Sequence, residues 1–163
     1  EHRFERGDGS HAWVWDRGFL VRDAHGQAVR MVGAMTDLSE RRAHEERLRE
    51  QATRLPAAAD VLVPGDGEGR NGVWLARQGH RVTAVDSSAV GLDKARALAA
   101  REGVALTTTL ADLADWTPAT AAFDAVVLVY THLPSAIRAG AHRRLAQGLK
   151  PGGWLVLDLP LPR

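Results

Sequence analysis

Residues 61–69 read Val-Leu-Val-Pro-Gly-Asp-Gly-Glu-Gly, an apolar run that enters a turn with glycine at 65, 67 and 69. Alternate glycines let a backbone turn sharply and approach a ligand with no Cβ in the way. The rest of the chain repeats one kind of unit. A helix starts near Arg70 and ends at Gly79, and the strand Val82 to Val85 closes on Asp86. Ser87 or Ser88 caps a helix that Gly103 ends, and Val104 to Leu110 is a strand with Asp112 just past it. Asp124 to Tyr130 is a fourth strand. The helix Ser135 to Leu149 carries Ile137, Ala141, Leu145 and Leu149 on one face, and Lys150-Pro151-Gly152-Gly153 leads into a fifth strand, Trp154 to Leu159. Strands that alternate with helices predict an α/β fold with a doubly wound parallel sheet.

In such Rossmann-like sheets ligands bind at the carboxyl ends of the strands, near the point where strand order reverses, where Gly67, Asp86, Asp112 and Tyr130 would converge. Asp86 stands 21 residues after Gly65, placed to accept both ribose hydroxyls of an adenosine. The same carboxylate would repel a 2′-phosphate. Asp66 and Glu68 sit within the glycine turn, where a dinucleotide would put its pyrophosphate and meet like charge. S-adenosylmethionine has no phosphate and carries a sulfonium. Charge alone therefore prefers it to NAD.

Charge and composition exclude several other classes. Among 163 residues, 21 Lys and Arg face 20 Asp and Glu, split evenly between 1–55 and 56–163, so no basic face marks a nucleic-acid partner. No cysteine is present, which removes disulfides, thiolate zinc sites and a cysteine nucleophile. The seven histidines are scattered, and His44-Glu45 finds Leu48 where a zincin helix needs a second histidine, so no metal is expected. No apolar run approaches the roughly 20 residues of a membrane span. A cytoplasmic protein without a membrane partner is expected, and the sequence, which begins at Glu1 rather than Met, reads as a fragment.

Before residue 55 the pattern differs. Three strand-like stretches are separated by Gly7-Asp8-Gly9-Ser10 and Ala24-His25-Gly26, with bulky Trp13, Val14, Trp15, Phe19 and Val21 in the second and Val29, Met31 and Gly33 on one face of the third. An antiparallel meander is expected over 1–37. Asp37 as N-cap with Glu40 three later forms a capping box that opens a helix over 38–55. Its faces are dense in Arg and Glu, and Leu48, Ala52 and Leu55 make a thin apolar stripe. Such a helix serves as a solvated connector or, alternatively, as a coiled coil that pairs two copies in a homodimer. The segment Arg6 to Ser10, Trp13-Val14, Gly18 to Asp23, Gly26, Val29-Arg30 and Thr36 to Arg41 resembles the C-terminal half of a PAS sensor domain, without the elements that enclose a ligand.

Residues 56–163 are expected to form the second, C-terminally incomplete domain, and 56–159 of it resemble a class I S-adenosylmethionine-dependent methyltransferase of the tellurite-resistance type. Five runs carry the likeness: Gly65 to Asn71, Val82 to Asp86, Ala111-Asp112-Leu113, Phe123 to Val127 and Leu149 to Gly153. The resemblance implies that Gly65, Gly67 and Gly69 line the methionine part, that Asp86 holds the ribose, and that Asp112 and the Leu113 amide read the adenine edge. Asp66, Asn71, Ser87 and Val129 complete the implied cofactor set, and Val129 to His132 would face the methyl in flight. Tyr130 and His132 are the catalytic candidates, His132 as a base near neutral pH. Trp116 either covers the adenine or packs in the core, and Trp74 belongs to the core.

Two departures stand out. The family favours an acid where Val63 stands and a small residue or cysteine where Asp66 stands, so Asp66 either replaces the missing acid at the cofactor's ammonium or faces solvent. The family also continues beyond strand five, whereas the sequence ends at Arg163, which is expected to leave that strand as an apolar edge. The expected function is methyl transfer to a small-molecule acceptor. The alternatives are an S-adenosylmethionine-binding signalling module without turnover, and an NAD-binding domain.

Overall fold

A computed structural model describes the backbone of residues 2–23 and 25–158; the expected strand end at Leu159, Ala24 of the second turn, and the side chains of Phe19, Met31, Glu40 and Leu48 lie outside the described residues. The chain divides into two compact units, Glu1–Glu50 and Gln51–Arg163.

In the first unit β1 (His2–Glu5), β2 (His11–Arg22) and β3 (Ala28–Asp37) form an antiparallel sheet in that order. Short polar side chains close both turns: the Asp8 carboxylate accepts from the Ser10 amide at 2.9 Å, and Asp23 accepts from the His25 and Gln27 amides at 2.9 Å each. Alternation sends Ala12 and Val14 inward. Trp13 and Trp15 fall on the other face, where the Arg42 guanidinium lies 3.8 Å from the Trp13 ring centre and Arg17 4.8 Å from that of Trp15. The helix α1 (Ser39–Ala52) is shorter than the expected 38–55. Asp37 is the last residue of β3 rather than the N-cap: its carboxylate accepts from the Ser39 amide at 2.8 Å, while the Leu38 carbonyl receives the first helical bond, from Arg42. That bond and the Arg6 guanidinium hold the Asp37 carboxyl at about 2.

The second unit holds β4 (Asp60–Pro64), α2 (Arg70–Arg77), β5 (Arg81–Asp86), α3 (Ala89–Arg101), β6 (Thr107–Leu110), β7 (Phe123–Val129), α4 (Ser135–Gln147) and β8 (Leu149–Asp158). The five strands are parallel in the order β6-β5-β4-β7-β8, so strand order reverses between β4 and β7. Central strands of a sheet covered on both faces lose all contact with water, and this explains the unbroken apolar runs. Val61, Leu62 and Val63 of β4 and Ala125 to Leu128 of β7 are at most 1% exposed. Leu145 and Ala141 of α4 pack with Leu62, Val126 and Leu128, and the half-buried Trp116 lies against the same cluster. Each large apolar side chain so buried contributes about 1.5–3 kcal/mol.

Several boundaries differ from expectation. β6 starts at Thr107, three residues late, and α4 stops at Gln147, so Leu149 begins β8 instead of ending the helix. The β8 register then jumps: Phe123 faces Leu149, but Ala125 faces Trp154, and Lys150 to Gly153 loop out opposite Asp124. The bulge lets Lys150 Nζ reach Asp60 at 2.9 Å and Asp124 at 3.0 Å, while Arg81 grips Asp60 at 2.7 Å. Arg81 and Lys150 hold the Asp60 carboxyl at about 2, and this network fastens four strands at their amino ends. No helix among the described residues is long and apolar enough to cross a membrane.

Candidate functional site

The opposite, carboxyl end of the sheet carries the residues singled out in the sequence. β4 delivers its last residue, Pro64, into the glycine turn, and all three glycines have φ between +57° and +81°, a region that penalises any Cβ. They do different work. A Cβ on Gly65 would lie 2.6 Å from the Thr131 side chain, and one on Gly69 would lie 2.5 Å from the Ala95 methyl of α3. Only Gly67 of the three would project a Cβ into open space. The turn therefore presents one open cradle, at Gly67. Gly69 is also required for the packing of the turn against α3.

Asp86, the last residue of β5, is held on both oxygens: Oδ2 accepts from the Gly67 amide at 2.8 Å and Oδ1 from the Ser88 amide at 2.8 Å. Each oxygen keeps a lone pair, so the carboxylate is oriented beside the open cradle and able to accept a diol. Ser88, not Ser87, caps α3 and accepts from the Gly91 amide at 3.0 Å; Ser87 stays exposed. The α3 N-terminus approaches so closely that a Cβ on Gly91 would lie 3.0 Å from the Gly67 carbonyl.

Asp66 does not face solvent, one of the two alternatives expected for it. It is 7% exposed, and its carboxylate turns under the start of α2 to accept from the Gly72 amide at 3.1 and 3.2 Å. A Cβ on Gly72 would lie 2.3 Å from that carboxylate. The unsatisfied amides and positive dipole end of a helix draw a carboxylate there in preference to an open turn. Burial nonetheless pushes the Asp66 carboxyl up to about 7, the Gly72 and Asn71 amides holding it down and nearby Asp86 raising it. Asn71 thus joins the site through its backbone. Val63, where the family has an acid, is sealed in the core at 1% exposure. Glu68 is answered by Lys94 at 2.7 Å and Arg70 at 3.6 Å, which leaves Asp66 to carry the charge argument against a pyrophosphate.

Beyond β6, the exposed Asp112 accepts from the Ala114 amide at 2.8 Å, and Leu113 sinks its side chain into the core. The loop is fixed by a side chain from outside every sequence motif. Arg144 of α4 donates to the carbonyls of Leu113 (2.8 Å), Ala114 (2.6 Å) and Trp116 (3.1 Å). Arg138, one helical stretch earlier, donates to the Leu133 carbonyl at 2.9 and 3.1 Å. Neither arginine lies in a motif; only their place on the helix that follows the fourth strand could have drawn notice. After Val129, which is 8% exposed, Tyr130 takes φ +52°, an uncommon conformation for a bulky residue. Tyr130 and His132 are exposed while Thr131 and Leu133 turn inward. Among the described residues no group of three or more His, Asp or Glu could hold a metal ion.

A doubly wound parallel sheet whose switch-point crevice pairs an open glycine cradle with an oriented carboxylate defines a nucleoside-type cofactor-binding domain. Residues 61–153 match the family described as methyltransferase domain, and the chain belongs to it, within the class I S-adenosylmethionine-dependent methyltransferases. Among solved structures, it is similar to a TehB-like SAM-dependent methyltransferase from Corynebacterium glutamicum, at 26% identity over 68% of this chain and 58% of that one, with a TM-score of 0.57. It is also similar to DhpI in complex with SAH, at 31% identity over 71% and 53% with a TM-score of 0.58. A SAM-dependent methyltransferase from Thiobacillus denitrificans, solved in complex with S-adenosyl-L-homocysteine, matches at 29% identity over 66% and 45%, TM-score 0.55. The chain spans about half the length of these structures. No curated protein matches it significantly.

Proposed function

We propose that this chain binds S-adenosylmethionine in the crevice between β4 and β7 and transfers its methyl group to a small-molecule acceptor. The observation that carries the reading is Asp86, held by the Gly67 and Ser88 amides at 2.8 Å each beside the open face of Gly67. The solved relatives bound to S-adenosyl-L-homocysteine support the same ligand class. The bound cofactor would supply a methyl already activated on a sulfonium.

The protein's own work is then orientation and exclusion of water. Asp86 would take the ribose hydroxyls, and the Asp112–Leu113 loop, fastened by Arg144, would meet the adenine edge. Asp66 would act from beneath, holding the turn and the start of α2 in register. Tyr130 and His132 would face the acceptor, with the His132 imidazole taking the proton from an oxygen or nitrogen nucleophile. The tellurite-resistance type rests on the five runs from Gly65 to Gly153 in order, with the TehB-like relative in support. For the first unit we propose a PAS-type half-domain, supported by three antiparallel strands leading into α1, and homodimerisation through α1 as its partner role.

Calorimetry with S-adenosylmethionine, S-adenosylhomocysteine and NAD tests the ligand. Micromolar binding of the first two and none of NAD is expected, and a preference for NAD would refute the assignment. Labelled-methyl transfer to a panel of thiol, amine and hydroxyl acceptors then separates an enzyme from a binding module without turnover.

A further inference from the structure

Backbone pairing between β4 and β7 is confined to Val61 with Ala125 and Leu62 with Val126. The Pro64 carbonyl lies past that pairing, at the carboxyl end of β4. A buried carbonyl needs a donor, and at a switch point the next strand does not supply one. Thr131, 67 residues later in the chain, supplies it: its Oγ1 donates to the Pro64 carbonyl at 2.9 Å. Its methyl fills the room left by the missing side chain of Gly65, where a Cβ would lie 2.6 Å from Thr131 Cγ2 and 2.7 Å from Oγ1. The first glycine of the turn is thus explained by a threonine, while the Gly65 amide itself is tied to the Val85 carbonyl at 2.7 Å.

The same contact explains Tyr130. A non-glycine residue at φ +52° costs roughly 1 kcal/mol or more and persists where its surroundings over-determine it. Thr131 anchors one side of it on β4, and Leu133, buried in the core and gripped by Arg138, anchors the segment two residues on. With 131 and 133 held inward, Tyr130 and His132 are turned outward.

We propose that Thr131 is the positioning residue of this site: by joining the Pro64 carbonyl and filling the space at Gly65, it sets the Tyr130–His132 segment against the cofactor turn. The inference rests on the proposed cofactor reading for its ligand and on geometry alone for the anchor. Thr131 touches neither cofactor nor acceptor in this role. It acts through Tyr130.

Tyr130 is the only tyrosine in the chain, so tyrosine-labelled protein gives a single ring signature from this segment. Thr131→Val keeps the shape and loses the donor, Thr131→Ala loses both, and Thr131→Ser keeps the donor. The full chain is titrated with S-adenosylhomocysteine by calorimetry, and the Tyr130 ring resonances are followed by NMR with and without it. We expect Thr131→Val and Thr131→Ala to broaden or split the Tyr130 resonances in the ligand-free protein and to weaken S-adenosylhomocysteine roughly three- to tenfold, with Thr131→Ser near the parent in both. Unchanged Tyr130 resonances in Val and Ala would overturn the proposal, as would a fall in melting temperature alone with Tyr130 and ligand affinity untouched. Should the parent fail to bind S-adenosylhomocysteine, the cofactor reading fails, and the ligand-free Tyr130 spectra still decide the anchor. Should Thr131→Ala fail to fold, Thr131→Val and Thr131→Ser carry the comparison.

Discussion

Replacing Asp66 with asparagine removes a carboxylate that burial has pushed up to about 7 from an ordinary value of 3.8. A carboxyl raised on folding binds its proton more tightly in the native state, so its contribution to stability is complete below pH 4 and declines as pH rises toward 7. The span corresponds to roughly 4 kcal/mol lost between about pH 4 and pH 7, flat on either side. Asparagine keeps an acceptor for one of the Gly72 and Asn71 amides and places an amine near the other, a cost that does not vary with pH. The parent should therefore be more stable than Asp66→Asn near pH 4.5, and the gap should close or reverse by pH 8. Urea unfolding of both proteins at half-unit pH steps gives the difference curve, in which the opposing contribution of His80, whose proton affinity burial lowers, cancels. Carbon NMR of the Asp66 carboxyl gives its midpoint directly. A midpoint below about 5, or a difference curve that varies by less than about 1 kcal/mol across the range, would refute the claim that desolvation outweighs the two amides.

Asp86→Ala should weaken S-adenosylhomocysteine by about 2–4 kcal/mol, roughly 30- to 1000-fold, measured by calorimetry on protein whose circular dichroism matches the parent. The glycine turn should divide by position. Gly67→Ala should chiefly reduce ligand affinity, because its Cβ enters the open cradle, whereas Gly69→Ala should chiefly lower the melting temperature, because its Cβ strikes Ala95. Lys150→Met should lower the urea midpoint at pH 7 and flatten the acid limb as pH falls below 4, since Asp60 and Asp124 lose depressed carboxyls that Lys150 helps to hold. An unchanged acid limb would place the strength of that network elsewhere.

The periodicity of residues 61–158 determined the parallel sheet, because strands buried on both faces must be written as unbroken apolar runs and helices on its flanks as amphipathic ones. The glycine turn and the place of Asp86 were legible for a related reason: a backbone that turns at positive φ demands glycine, and the alternation of strand and helix put Asp86 at the end of its strand. The three antiparallel strands were marked by their turns, though not the outward placing of Trp13 and Trp15, which depends on register across strands. The helix limits shifted by a few residues, since the helix start after Asp37 or a bulge such as Lys150 to Gly153 is settled by bonds the sequence does not display.

What each site residue does was decided only by the tertiary structure. Asp66 lies between two glycines in the sequence, and nothing local distinguishes a carboxylate that faces a ligand from one drawn under a helix start six residues on. Gly65 and Gly69 look alike on paper, yet one makes room for Thr131 and the other for Ala95. Arg144 lies about 30 residues from the loop it fastens and Thr131 lies 67 from the carbonyl it caps. Local sequence encodes backbone conformation and burial, which are short-range demands. The pairing of a donor with a distant acceptor exists only once the sheet has brought the carboxyl ends of β4, β5 and β7 together.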